Sequence, residues 1–209
     1  MATVLSPPEQ RVILHGINWD TYESILEAHR NRSAPRFTYD RGSLEIMSPS
    51  PEHEELNRAA ASLVEAVAEG LDLHTRNFGS TTFRREDVKR GFEPDTCFYI
   101  QSVERIKGQT ELDLTVDPPP DLVIEIDITS PSITKFPLFA QLGVPEVWRY
   151  DGKRWSILML AGAEYIEREE SIALPGLTVA RITHFIEEGR TMRRPDWLRW
   201  VRDSVGQSG

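Results

Sequence analysis

One segment constrains the fold of this chain more than any other, the stretch from Pro118 to Asp127 with the sequence PPPDLVIEID. Its side chains alternate strictly, which predicts a β-strand with one apolar face on the core. Neighbouring side chains on one face of a strand lie about 6 to 7 Å apart. Acids that follow one another on the face opposite the core therefore need a cation, a proton or solvent to relieve their repulsion. We therefore place the centre of function at this strand. The apolar face has Leu122, Ile124, Ile126 and Ile128, and the opposite face has Asp121, Val123, Glu125 and Asp127.

Length and composition indicate a single cytoplasmic domain. The chain has 209 residues, of which 39% are hydrophobic and 27% charged, as in an ordinary globular protein with a full-size core. We expect no membrane segment, because no apolar run approaches about 18 residues and no signal-peptide pattern is present. The single Cys97 excludes an internal disulfide and a cysteine-based zinc site.

The charge distribution limits the possible partners. A net charge of −9 argues against general polyanion binding, which depends on neutralising phosphates. A clustered minority of basic residues can still form a local binding surface, and the segment from Arg84 to Arg90 holds such a cluster. We select Arg84 and Lys89 there as candidates for nucleic-acid contact. A solvated or salt-bridged role fits Arg84 at least as well.

The order of the predicted elements gives an α+β fold with one central sheet. Asp20 and Glu23 form a capping-box pattern for a helix over 19–31, and Arg41-Gly42 joins a hairpin. Ser50 is the predicted N-cap of a helix that begins at Pro51 and stops at Gly70. The other predicted strands are 71–78, 80–85, 95–101, 122–128, 145–150, 154–160 and 164–168, and the other helices are 130–142, 179–188 and 195–203.

A second acidic strand supplies candidate metal ligands. Asp95 begins the predicted strand 95–101, and pairing with the central strand would put it beside Glu125 or Asp127. Carboxylates that converge from adjacent strands suit Mg²⁺, which can orient a phosphodiester and generate hydroxide. A nearby lysine would stabilise the charge that builds on phosphorus. The same spacing equally fits an acid pair at the surface with no ligand.

These residues resemble a known pattern. Pro94-Asp95, Glu125 and a downstream lysine are similar to the PD-(D/E)XK nuclease superfamily, which has the restriction-endonuclease-like fold. Longer motifs resemble the Uma-two family, also described as domain of unknown function 820, whose members are described as restriction endonucleases. The motifs in this chain are SLEIMSPSPEHEEL, FGSTTFRRED, GFEPDTCFYI, PPPDLVIEIDITSPS and KFPLFAQLGVPEVWRYDG.

The resemblance implies both a fold and a reaction. It implies a mixed β-sheet flanked by α-helices within one domain over 1–209. The core would span about 37–168, with the helices over 19–31 and 179–203 as additions. It also implies a DNA endonuclease that uses Mg²⁺, or alternatively Mn²⁺, to hydrolyse phosphodiester bonds.

Carried over by position, the resemblance assigns roles to individual residues. Asp95 matches the first metal-binding acid, and Glu125 matches the second. The superfamily expects lysine two residues later, where this chain has Asp127, a third candidate metal ligand or a flanking acid. Lys135, near the start of the predicted helix 130–142, is the expected substitute, although a surface role fits it too.

His53 is a further candidate for the site. It continues the stripe of the predicted helix that faces the sheet, where a core histidine and an active-site histidine are equally plausible. The resemblance also implies an acid on this helix, and the sequence leaves open which of Glu52, His53 and Glu54 faces the site.

Two other functions stay open at this stage. Asp127 in place of lysine and the charge of −9 favour a non-catalytic interaction module, and a phosphodiesterase acting on RNA is the third possibility. Cutting both strands of DNA would need two sites, which makes a homodimer plausible. If Asp95 and Glu125 repel each other, replacing Asp95 should leave the thermal midpoint equal or higher.

Overall fold

The computed structural model describes residues 9–30, 32, 34–128 and 134–206. The α-helices within these ranges are α1 (Trp19–His29), α2 (Pro51–Gly70), α3 (Phe136–Leu142), α4 (Val179–Gly189) and α5 (Arg194–Gly206). The strands are β1 (Gln10–His15), β2 (Arg36–Asp40), β3 (Ser43–Ser48), β4 (Arg76–Asn77), β5 (Phe83–Arg85), β6 (Arg90–Phe92), β7 (Thr96–Tyr99), β8 (Leu122–Ile126), β9 (Glu146–Tyr150), β10 (Trp155–Ala161) and β11 (Glu164–Arg168). None of the helices in these ranges has the length and apolar character needed to cross a bilayer.

The strands form two sheets. The first has the order β1-β3-β2-β6-β5 and is antiparallel throughout. The second has the order β11-β10-β9-β8-β7-β4, and β8 and β9 are its parallel pair. The mixed sheet is therefore confirmed, but the prediction of one central sheet is wrong. The β2–β3 hairpin pairs with β1 and β6 and so builds a sheet of its own.

Both faces of β8 are covered. Leu122, Ile124 and Ile126 pack against α2, α4 and α5 in the largest apolar cluster. Val123 lies in a second cluster with Phe92 of β6 and residues of α3. The alternation predicted the strand and its apolar face correctly. However, all five residues of β8 are buried, so its acidic face points into the protein and not into solvent.

The first sheet has its own small core. Trp19 and Tyr22 of α1 pack on Phe37, Tyr39 and other apolar residues of the β2–β3 hairpin. The rings of Tyr22 and Tyr39 stack with centroids 4.6 Å apart. This packing fixes β2, whose first residue enters the candidate site.

The predicted N-terminal cap is correct for helix α2 and wrong for helix α1. The hydroxyl of Ser50 accepts a hydrogen bond from the backbone N–H of His53, which confirms the predicted start of α2. At α1 the cap is Asn18, whose side chain accepts from Thr21, so the predicted capping role of Asp20 is wrong. The predicted end of this helix at Asn31 lies outside the described residues.

Short elements account for the remaining differences. β6 was not predicted, because three residues are too few to show the alternation of apolar and polar side chains that identifies a strand. The predicted strand 71–78 shrinks to β4, two residues long. Helix α3 begins at Phe136, so residues 134–135 are not helical, and 130–133 lie outside the described residues.

A buried carboxyl group ties the second sheet to the segment before α4. Glu146 of β9 is fully buried, and its Oε1 accepts hydrogen bonds from Trp148 Nε1 and Ser171 Oγ, both at 2.6 Å. Its Oε2 accepts from the backbone N–H groups of Ile172 at 2.7 Å and Ala173 at 3.1 Å. Four donors thus converge on one side chain.

Replacing Glu146 with alanine is expected to lower the free energy of unfolding by about 3–5 kcal/mol, because it leaves several buried donors unpaired. Urea unfolding followed by circular dichroism measures this change. The matched control is Glu164→Ala on β11, the edge strand of the same sheet, where the side chain is exposed and little change is expected. Equal midpoints for the two variants would contradict the anchoring role of Glu146.

Candidate active site

Strand pairing brings the first two predicted acids together. Strands β7 and β8 are antiparallel with Thr96 opposite Ile124, so one further step places Asp95 opposite Glu125. The carboxylate Oδ2 of Asp95 accepts a hydrogen bond from the backbone N–H of Ile126 at 2.7 Å. The strand pairing on which the convergence of these acids depended is therefore present in the fold. Both acids are almost completely buried.

Helix α2 supports the backbone at this point. The side-chain amide of Asn57 donates to the backbone carbonyl of Asp95 at 3.1 Å, and Thr96 Oγ1 donates to Asn57 Oδ1 at 2.8 Å. These bonds lock the start of β7 to the helix. Asp95 is therefore held by rigid elements on both sides.

Lys135 reaches the two acids from the residue before α3. Its Nζ donates to Glu125 Oε2 at 2.6 Å, and its side chain is buried. Burial alone would lower the pKa of Lys135, but the charges of Glu125 and Asp95 outweigh burial and raise it. Lys135 therefore carries its positive charge inside the site, although it lies 40 residues from Asp95 in sequence.

Glu125 has a carboxylate oxygen that is available to a ligand. Burial, with contributions from Asp95 and Asp127, raises its pKa to about 7 against the opposing charge of Lys135. Its second oxygen, Oε1, is buried and has no hydrogen-bond partner among the described residues. A buried oxygen without a partner is costly, and a hard cation or a proton would satisfy it.

The donor atoms fit Mg²⁺ in kind, since they are carboxylate oxygens on adjoining strands. No group of three or more His, Cys, Asp or Glu side chains is already arranged as a metal cage within the described ranges. Basic side chains occupy most of the carboxylate oxygens instead. A cation would share or displace these contacts, and Glu125 Oε1 is the oxygen it could take without loss of a hydrogen bond.

His53 lies inside the site and bridges two acids. Its Nε2 is 2.9 Å from Asp95 Oδ1, and its Nδ1 is 2.8 Å from Glu9 Oε2. Burial disfavours the charged imidazolium, but hydrogen bonds to Asp95 and Glu9 outweigh it and raise the pKa of His53 to about 9. His53 is therefore a cationic link at neutral pH. Of its neighbours, Glu52 is exposed, whereas Glu54 faces the site through Arg36.

Sequence reasoning missed Arg36, the first residue of β2. Its Nη1 donates to Asp95 Oδ1, and its Nη2 donates to Glu54 Oε1 at 2.5 Å. It is buried, and its Nε has no hydrogen-bond partner among the described residues. The alternation of Arg36 and Thr38 with apolar neighbours is typical of a solvated face, so it gave no sign of burial.

Asp127 lies one residue beyond β8 and is held by arginines. Its Oδ2 accepts a hydrogen bond from Arg149 Nε of β9 at 2.8 Å, and its Oδ1 is 4.0 Å from Arg11 Nη2 of β1. Arg11 also pairs with Glu9 at 2.7 Å and Glu45 at 2.9 Å. The role of Asp127 as a metal ligand stays a prediction. Neither arginine was predicted, because their contacts join distant segments.

The two predicted nucleic-acid contacts lie elsewhere. Arg84 of β5 forms an ion pair with Glu23 at 3.0 Å, and Lys89 forms one with Glu86 at 3.0 Å. Both side chains are about half exposed and contact none of the site residues above within the described ranges. β5 is the far edge of the first sheet. Their role in nucleic-acid binding stays a prediction.

Two other residues weighed in the sequence have structural roles. Asp121 Oδ2 accepts hydrogen bonds from the backbone of Ile100 at 2.7 Å and from Ser102, which fixes the turn after β7. Cys97 is fully buried, and burial raises the pKa of its thiol. Cys97 is therefore unsuited to nucleophilic catalysis.

Comparison with known proteins identifies a matching family model and a solved structure of similar fold. A family model described as "Uma2: Putative restriction endonuclease" matches residues 19–193. A solved structure of "a putative nuclease belonging to DUF820" from Anabaena variabilis matches with a TM-score of 0.52 and 16% identity, covering 81% of this chain and 99% of that chain. At this identity the likeness concerns the fold alone, and the predicted α+β fold is confirmed. No curated protein matches the chain. Strand β1 lies outside the matched range.

Proposed function

The chain belongs to the Uma2 family, and we propose from this membership and from its buried site that it is a Mg²⁺-dependent DNA endonuclease. Mn²⁺ is the alternative metal. The reaction is hydrolysis of phosphodiester bonds in DNA. A cytoplasmic location and a homodimer that cuts both strands belong to the same proposal.

One observation carries the proposal. Asp95, Glu125 and Lys135 come from three separate segments and meet in a buried cluster. Burying two acids and a lysine costs several kcal/mol per ion before their attraction compensates. A structural role would be served as well by apolar residues, whereas metal-assisted phosphate chemistry needs these groups together.

Each residue of the site would have a separate role in the reaction. Asp95 and Glu125 would hold the metal ion, and Asp127 would either add a third ligand or flank them, as the sequence left open. When bound, Mg²⁺ would supply a hydroxide nucleophile and would neutralise charge on the departing oxygen. Lys135 would stabilise the negative charge that builds on the phosphate oxygens. His53, a cation between Asp95 and Glu9, would orient the carboxylate of Asp95.

A second candidate function is a non-catalytic interaction module with a nuclease fold. The observation that favours it is the state of Asp95, whose Oδ1 is in contact with Arg36 and His53 and whose Oδ2 accepts from Ile126. In that case Arg36 would neutralise Asp95 permanently in place of a metal ion. The two functions differ in whether the protein turns over a substrate.

The deciding experiment incubates purified protein with supercoiled plasmid at low salt, with Mg²⁺, with Mn²⁺ and with EDTA. We expect conversion to nicked and linear DNA with either metal and none with EDTA. Single-stranded DNA and RNA are run in parallel, and cleavage of RNA alone would move the proposal to an RNA phosphodiesterase. Intact substrates in every metal would contradict a nuclease and favour the interaction module.

A further inference from the structure

The outer edge of the candidate site is formed by an arginine that the sequence did not single out. Arg149 lies on β9, which runs parallel to β8 with Arg149 in register with Glu125. Its guanidinium carbon lies 5.7 Å from the ring centre of Phe136. Its position is therefore fixed by the sheet and by the ring that begins α3.

Among the residues that the structure describes, the guanidinium of Arg149 has one hydrogen-bonded nitrogen. Nε donates to Asp127 Oδ2 at 2.8 Å, and neither Nη1 nor Nη2 donates a hydrogen bond within the described residues. The side chain is 30% exposed, whereas the Asp127 side chain is 9% exposed. A buried acid thus holds a partly exposed arginine whose free N–H groups can face solvent.

This geometry suits a phosphate group. Guanidinium N–H groups form a planar fork that matches two oxygens of a phosphate, and charge-assisted bonds of this kind are stronger than neutral ones. The fork adjoins the side of the sheet on which Glu125 and Lys135 meet. A phosphodiester bound beside Glu125 would face the strand position that Arg149 occupies next to it.

We propose that Arg149 binds a backbone phosphate of the substrate and that Asp127 is its positioning residue. The proposal rests on the proposed nuclease function and adds a phosphate-binding subsite to it. It gives Asp127 a role that needs no metal ion, because the carboxylate sets the direction of the Arg149 fork through its hydrogen bond to Nε.

The first test measures DNA binding without cleavage. A fluorescent DNA duplex is titrated in EDTA at several salt concentrations with the wild type, Arg149→Ala and Arg154→Ala. We expect Arg149→Ala to weaken binding about tenfold and to reduce the salt slope by about one phosphate contact. Arg154 is the matched control, since it lies between β9 and β10, pairs with Glu167 and is 62% exposed. Its loss should change affinity much less.

The second test separates positioning from metal binding. Asp127→Asn and Asp127→Ala have the same charge, but only asparagine keeps an acceptor for Arg149 Nε. We expect Asn to bind DNA several-fold more tightly than Ala. We also expect Mn²⁺ affinity, measured by calorimetry, to be unchanged in Asp127→Asn and strongly reduced in Glu125→Gln. Equal loss of Mn²⁺ binding in both would make Asp127 a metal ligand and overturn its positioning role.

The outcomes of these tests distinguish a failure of the phosphate-binding subsite from a failure of the nuclease activity. A wild type that cleaves DNA while Arg149→Ala binds as well as wild type would overturn the subsite alone. Equal losses for Arg149→Ala and Arg154→Ala would also overturn it, because net charge would then explain both. A wild type that neither binds nor cleaves nucleic acid would overturn the nuclease and the subsite together.

Discussion

Replacing Lys135 with alanine is expected to slow metal-dependent nicking of plasmid DNA by about 10²- to 10³-fold, the usual cost of losing one preorganised group that stabilises transition-state charge. Lys135 is buried with its Nζ 2.6 Å from Glu125, where water cannot replace its charge. A second effect acts in the same direction. Without this cation, the pKa of Glu125 should rise further above 7, and a protonated Glu125 is a poor metal ligand.

The Lys135 prediction is measured as the rate of nicking under single-turnover conditions at saturating Mg²⁺. Lys153→Ala is the matched control, since Lys153 is exposed in the turn between β9 and β10. It removes the same charge from the protein and should leave the rate within about twofold, as expected for a surface substitution. A Lys135→Ala variant that nicks as fast as this control would exclude Lys135 from the chemistry.

The acids of this site were predictable because strand patterns are local. The alternation around Glu125 indicated the face of β8, and Asp95, the residue before β7, needed only an antiparallel partner strand to lie opposite Glu125. Lys135 was assigned through the family resemblance, because spacing alone does not show which downstream lysine returns to the sheet. The structure brings its Nζ to Glu125.

The basic half of the site was not predictable in the same way. Arg11, Arg36 and Arg149 each occupy a strand position that is typical of a solvated face, and their contacts with acids depend on the tertiary fold. Pairing of β1 with β3 brings Arg11 to Glu45, an interaction across 34 residues of sequence. The sequence therefore showed the acids together with Lys135 and His53, but not the three arginines that pair with the acids.

These cations reverse one expectation drawn from the sequence. Considered alone, Asp95 and Glu125 repel each other, and removing Asp95 should do no harm to stability. In the fold, Asp95 has Arg36 and His53 at Oδ1 and the backbone N–H of Ile126 at Oδ2, and the interactions with Arg36 and His53 lower its pKa despite burial. Its removal takes one acidic partner from each of two buried cations, which keep Glu54 and Glu9, and leaves the buried N–H of Ile126 without its acceptor.

Replacing Asp95 with alanine is therefore expected to lower the free energy of unfolding by about 3–5 kcal/mol, as when one partner of a buried ion pair is lost. Urea unfolding in EDTA measures the change without a contribution from metal binding. The control Asp87→Ala removes an exposed acid that pairs with Arg85 and should shift the midpoint little. An unchanged or raised midpoint for Asp95→Ala would mean that repulsion between Asp95 and Glu125 outweighs the contacts that Asp95 makes.

The pH dependence of the free energy of unfolding tests the contact between Asp95 and His53 independently. The pKa of His53 is raised from 6.5 to about 9 in the fold, so its contribution is complete below pH 6.5 and is lost as the pH rises through 9. Asp95→Ala removes one of the two acids that hold this proton. The variant should therefore show a flatter loss of stability between these two pH values than the wild type.

Asp95→Asn separates the two roles of this residue. Asparagine keeps an acceptor for Ile126 and should unfold at a higher urea concentration than the alanine variant, yet it is a much weaker ligand for a hard cation. A nuclease would then lose cleavage in both variants while stability differs between them. Cleavage that follows stability, with the asparagine variant active, would mean that Asp95 holds the fold together and that the metal is bound elsewhere.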